Sequence, residues 1–166
     1  IAGVHHAPME LNWFFFSIGL VFWIVVKSIL VNRIIFHSPM QDKLIPTLFI
    51  FIAPPAVGFI SYLALNNNEL NQFAMILFYF GLAMTLLMLV SVNKFIKLNF
   101  ALSWWAFTFP LAAMVIACYK FFGITQSGFI LTIGIALNTL LLAMILFFLM
   151  KTGKAVYHQQ ICNEHH

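Results

Sequence analysis

Apolar residues run through this chain in five long blocks, at positions 11–36, 44–65, 73–92, 98–119 and 128–150, with short polar breaks between them. A bilayer core takes about 20 apolar residues of helix to cross, and each block is long enough. The breaks, at 37–42, 66–69, 93–94 and 123–127, collect residues typical of turns. The pattern predicts an all-α, polytopic membrane protein, a single transmembrane domain over 1–166 whose five spans are antiparallel to their sequence neighbours. The first block is over-long and carries Lys27 and Arg33 in its last third. It is expected to leave the membrane near Val26 and continue in the interface, its basic heads snorkelling.

Two blocks contain proline where a membrane helix would otherwise be continuous. Pro110 ends the stretch Ser103-Trp104-Trp105-Ala106-Phe107-Thr108-Phe109-Pro110, and Pro54-Pro55 stands one helical hairpin earlier, a weak internal repeat. Proline has no N–H and its ring clashes with the carbonyl four residues back. Pro110 is therefore expected to free the Ala106 carbonyl and kink its helix. Broken backbone at membrane depth is tolerated where it is buried in protein or lines a cavity, and the proline alone leaves both readings open. Small residues surround both breaks: Ala53, Ala56, Gly58 and Ser61 in one block, Ala106, Ala112, Ala113 and Ala117 in the other. Such residues let helices pack closely in lipid. A pair of broken, small-lined helices also suits a ring around an axis, with the proline-free third and fifth blocks outside it.

Composition removes the soluble classes. The chain is 63% hydrophobic and 7% charged with mean hydropathy +1.02, which a water-soluble domain could carry only by exposing large apolar patches. The net charge of +4 matters less than its placement. With five spans, Lys27, Arg33, Lys43, Lys94, Lys97, Lys151 and Lys154 fall on one side and Lys120 alone on the other. By the positive-inside bias the first side is cytoplasmic, which puts the C-terminus inside, the 66–69 loop outside and Ile1 outside. The plasma membrane, or the inner membrane of a bacterium, is the expected location.

That topology separates Cys118 from Cys162, and His5-His6 from His165-His166. No disulfide is expected, the histidine pairs read as solvated tails, and neither a metal nor a cofactor is implied. Blocks two to five hold no charged residue, where proton relays and ion-coupled carriers keep one. They also lack the nucleophile, acid–base pair or metal ligands of a membrane enzyme, so an enzyme is not expected. Nothing points to nucleic acid. Asn138 is the notable polar residue of block five and reads as an interhelical hydrogen bonder.

The proline pair and the Ser-Trp-Trp-Ala-Phe-Thr-Phe-Pro stretch resemble the C-terminal half of the tellurite-resistance and dicarboxylate transporter family, which includes the plant guard-cell slow anion channels and bacterial homologues. The resemblance runs over about 14–154 and is most specific at 97–110. It implies ten helices in five hairpins around a pseudo-fivefold axis, odd-numbered helices lining a pore, in homotrimers with one pore per subunit. This chain would then be helices six to ten, a fragment unable to close the pore alone. The chain begins with Ile and not Met, and its opening residues have neither the basic start nor the apolar core of a signal peptide.

The occluding phenylalanine of that family maps onto Phe109. Helical spacing puts Leu102, Ala106, Phe109 and Ala113 on one face, which makes Leu102, Ala106 and Ala113 the expected pore lining around the gate. Pro54, Pro55 and Pro110 are the expected helix breaks at the pore. Helix dipoles at those breaks can favour anions without basic side chains. The implied function is a channel for small inorganic or organic anions. The alternative is a carrier exporting dicarboxylates or tellurite-type oxyanions, with or without proton coupling.

Overall fold

The computed structural model describes residues 2–36, 51–90 and 102–157. Among them the chain forms five α-helices and no strand: α1 (Met9–Phe36), α2 (Ala53–Leu65), α3 (Gln72–Val90), α4 (Thr108–Thr125) and α5 (Gly128–Tyr157). Short 3-10 helices precede α1 (Ala2–His5) and α4 (Leu102–Phe107). Helices α1, α3 and α5, and α4 together with its 3-10 lead-in, are long and apolar enough to cross a membrane; α2 is shorter. The breaks at 37–42 and 93–94, positions 44–50 of the second expected span, and the tail with Cys162 and His165-His166 lie outside the described residues.

The turns form where the sequence marks them. Asn67 and Asn68 both adopt left-handed backbone conformations, with φ of 52° and 60°, which Asn tolerates better than most residues. Asn71 then starts α3: its Oδ1 accepts the Ala74 N–H at 3.1 Å, and its Nδ2 donates to Tyr62 Oη at 2.6 Å. At the far hairpin, α4 runs on to Thr125, further than the expected span, and only Gln126 and Ser127 separate it from α5. Gln126, left-handed at φ 54°, ends α4 by donating its N–H to Phe122 O at 2.8 Å.

Helices α2 and α4 are the centre of the packing. Helix α3 lies against α2, α5 against α4, and α1 touches α2 from the outside. The rings of Phe59, Phe78 and Phe121 join α2, α3 and α4, with Phe78 stacked on Phe121 at 4.3 Å. A Cβ on Gly81 would meet Met114 Sδ at 3.3 Å and the Ala56 backbone N at 3.5 Å, so glycine lets α3 seat against both inner helices. Pro55 and Met114 meet at Gly81, while Phe59 and Phe121 meet further along both helices. Residue numbers rise in the same direction, so α2 and α4 run parallel.

Close packing accounts for half of the small residues flagged by sequence. Ala53, Ala56, Ala113 and Ala117 are buried in the shared core. Gly134 on α5 has the same role, since a Cβ there would lie 3.1 Å from the Cys118 Cβ.

Lys27 is held by two rings. Helix α1 continues unbroken to Phe36, and the Lys27 ammonium lies 3.8 Å from the centroid of Phe80 and 5.8 Å from that of Trp23. Phe80 is near the midpoint of α3. Helical side chains lean toward the N-terminus, so Lys27 folds back over Trp23 one turn earlier and away from the interface at the end of α1.

Candidate functional site

The site is the start of α4 and the uncovered side of the two inner helices. Phe107 and Phe109 are two residues apart and point in nearly opposite directions. Phe107 is 3% exposed, set among Trp104 and Phe148, with ring centroids 5.8 and 6.3 Å away. Phe109 is 64% exposed. Trp105 fastens the segment: its ring lies 5.7 Å from Phe148, and its Nε1–H donates to Thr152 Oγ1 at 3.1 Å. Thr108 Oγ1 donates to the Trp105 carbonyl at 2.8 Å. Three aromatic residues thus clamp the 3-10 turn onto α5, and the helical rotation from Phe107 to Phe109 delivers the second ring to the open side.

The uncovered stripe of α4 continues from Phe109 through half-buried Ala112 to exposed Ile116 and Tyr119. Helix α2 has a stripe of the same spacing, half-buried at Pro54, Val57, Ser61 and Ala64. These stripes differ from the expected lining. Ala106 is half-buried, but Ala113 is 5% exposed and belongs to the core. The reason is packing: Ala112 and Ala113 flank the Phe109 direction on opposite sides of α4, and the shared core covers the Ala113 side, where Ala117 is also buried. Residues 102–107 follow a 3-10 helix of about 3.0 residues per turn, which takes Leu102 and Ala106 off the α-helical spacing. Leu102 opens the 3-10 helix, and its side chain lies outside the described positions.

The prolines also have a different part from the one expected. Pro110 is the third residue of α4, and Pro54 and Pro55 are the second and third of α2. In a first turn the missing N–H is one that no intrahelical acceptor would have taken, so these residues open α-helices without interrupting them. The preceding 3-10 winding, which bonds i to i+3, removes the expected clash and kink at Ala106.

Both openings are electrostatically bare. The residues before them, Ile52 and Phe107, have helical backbone angles and make no side-chain capping bond, and neither first turn contains an acidic residue. Each helix start carries the equivalent of about half a positive charge. Because α2 and α4 are parallel neighbours, their positive ends lie on the same side. Asn138 on α5 is half-buried, and its side chain makes no hydrogen bond among the described residues, so the interhelical bond expected of it is not formed there.

A pair of proline-opened parallel helices exposes the Phe109 ring two residues after the buried Phe107. The profile of the voltage-dependent anion channel family matches residues 2–153. The chain belongs to this family. It is 28% identical to an uncharacterized transporter of Methanocaldococcus jannaschii, over 97% of this chain and 50% of the relative. It is 31% identical to the S-type anion channel SLAH2 of Arabidopsis thaliana over 65% of this chain and 21% of that protein. A tellurite resistance protein TehA homolog of Haemophilus influenzae is 26% identical over 68% of this chain and 34% of its own length. The chain spans about half the length of the archaeal relatives it matches. The family is one of membrane anion channels and transporters.

Proposed function

We propose that the chain forms part of a membrane conduit for small anions, with α2 and α4 contributing pore wall and the Phe109 ring closing it. The observation that carries this reading is the exposure of Phe109 at the head of a helix whose other face is core. A large ring left without cover beside a packed aromatic clamp is free to stand across a passage. The lining we assign is Phe109, Ala112 and Ile116 on α4, with Ala106 at the inner end. The parallel, uncapped helix starts supply positive potential, so a preference for anions needs no basic side chain in the wall.

The test is Phe109→Ala in the intact protein, in oocytes or reconstituted liposomes, with chloride, nitrate and malate currents compared at matched surface expression. Truncating the ring is expected to raise anion current well above that of the parent. A variant that assembles normally yet conducts no more than the parent removes the gate. A second reading, a carrier of dicarboxylates or tellurite-type oxyanions, draws on the name of the Haemophilus relative. Saturable flux driven by a proton gradient would favour it.

We assign the protein to the plasma membrane, or the inner membrane of a bacterium, with the end of α5 cytoplasmic, from the lysine and arginine asymmetry. Assembly as a homotrimer with a pore in each subunit rests on the family resemblance. Native mass measurement in nanodiscs that finds monomers alone would overturn it.

A further inference from the structure

We infer that the groove between α1 and α3 is a binding site for a long-chain carboxylate of the fatty-acid type, with its head on Lys27 and its alkyl chain along the groove. The groove has a volume of about 460 Å³ and apolar walls that include Leu20, Ile24, Phe73 and Ile76. That volume is within the range of ligand sites, roughly 300–1,000 Å³.

Two polar groups at these walls have no acceptor among the described residues. The Lys27 ammonium rests on the faces of Phe80 and Trp23 and makes no ion pair among the described residues. The Trp23 Nε1–H is buried without a hydrogen-bond partner. Ser28, the remaining polar side chain of the groove, is already satisfied by the Ile24 carbonyl at 2.8 Å. A cation on the wall of an apolar groove asks for a ligand that is anionic at one end and apolar along its length.

Depth selects which amphiphile. Trp13 and Tyr62, 5.9 Å apart, form an aromatic pair at the end where α2 turns into α3. Trp and Tyr mark the membrane interface. Trp23 is ten residues further along α1, about 15 Å at the rise of an α-helix, and a bilayer core is about 30 Å thick. Lys27 reaches Phe80 at that same level, near the middle of α3. A phospholipid phosphate, fixed in the interface, does not reach this depth. A carboxylic acid can enter neutral from the bilayer and pass its proton to the uncharged Lys27 amine, so that carboxylate and ammonium form together as a hydrogen-bonded pair. A chloride ion would find the same ammonium but no further polar shell, because the other walls are apolar.

The experiment uses diazirine-labelled stearic acid on the intact protein in nanodiscs of neutral lipid, with the label mapped by mass spectrometry. Adducts are expected on residues 20–31 and 73–80. Unlabelled stearate should displace them, and stearyl alcohol and phosphatidylglycerol should not. Lys27→Met should lower labelling about tenfold or more, as expected for losing one charge-assisted hydrogen bond, with Lys27→Arg retaining it. The inference is overturned if stearyl alcohol competes as well as stearate, since the head then contributes nothing; this arm needs no variant. It is equally overturned if phosphatidylglycerol competes, if Lys27→Met labels like the parent, or if adducts spread evenly over the lipid-facing helices. Absence of any adduct in the groove, as when another copy of the chain covers it, also overturns it.

Discussion

Phe107 and Phe109 offer a paired test of the geometry, because the same truncation should have unequal effects two residues apart. Phe→Ala in a packed core costs about 3–5 kcal/mol from lost transfer energy and the cavity left behind. In lipid the transfer part is weak, since the unfolded reference is itself in an apolar medium, and lost packing dominates. Phe107, 3% exposed between Trp104 and Phe148, should therefore fall at the low end, about 3 kcal/mol. Phe109 has only about a third of its surface covered, and the same scaling gives about 1 kcal/mol. For a chain of this length each kcal/mol moves the midpoint by about 2–4 °C, so the expected losses are about 6–12 °C for Phe107→Ala and 2–4 °C for Phe109→Ala. The assay is thermal unfolding in detergent followed by tryptophan fluorescence, with Trp104 and Trp105 reporting on the clamp. Equal losses, or a larger loss for Phe109→Ala, would mean that Phe109 is a packing residue, and the gate reading would fall with that result.

Other outcomes can be stated more briefly. Gly134→Ala should destabilise by about 1–3 kcal/mol because its Cβ would stand 3.1 Å from the Cys118 Cβ, while Gly58→Ala, whose nearest neighbours are Leu77 methyls at 3.8 Å, should stay within about 0.5 kcal/mol; thermal midpoints read both. Membrane-impermeant thiol labelling from outside should modify Asn67→Cys and spare Lys154→Cys in a background without native cysteines, and the reverse pattern refutes the orientation. In a Phe109→Ala background, Thr108→Asp should lower anion current below that of Thr108→Asn, because the carboxylate cancels the potential at the head of α4 and the amide does not. Equal currents would show that the helix starts do not set the preference for anions.

The sequence displayed some of this and concealed the rest for identifiable reasons. Spans were legible because a bilayer imposes a length on every apolar run, and turns because Asn67 and Asn68 supply the left-handed conformations a tight reversal needs. The opposition of Phe107 and Phe109 followed from helical spacing alone. Whether a proline interrupts a helix or opens one did not, because that depends on how the preceding residues wind. At Pro110 the 3-10 winding goes with contacts between Trp105 and residues more than 40 positions away, Phe148 and Thr152. Which side of Phe109 stays open, Ala112 or Ala113, was hidden because it depends on where the core covers α4. The ring beneath Lys27 was hidden for a related reason: it is set by the register of α1 against α3, which places Phe80 beside it.

The aromatic clamp and the exposed ring are best understood as two halves of one requirement. A ring that is to stand in a passage must have few contacts of its own, and a residue with few contacts is poorly positioned unless its neighbours are over-determined. Here the neighbours carry that burden. Trp104, Trp105 and Phe107 fix the backbone against Phe148, Thr108 ties its hydroxyl to the Trp105 carbonyl, and Pro110 fixes φ one residue after the ring. The backbone of Phe109 is thus held from both sides while its side chain is left uncovered. A rotamer change of that ring on such a support would need no movement of α4, so the gate we propose would open locally and leave the parallel α2 and α4 starts in place.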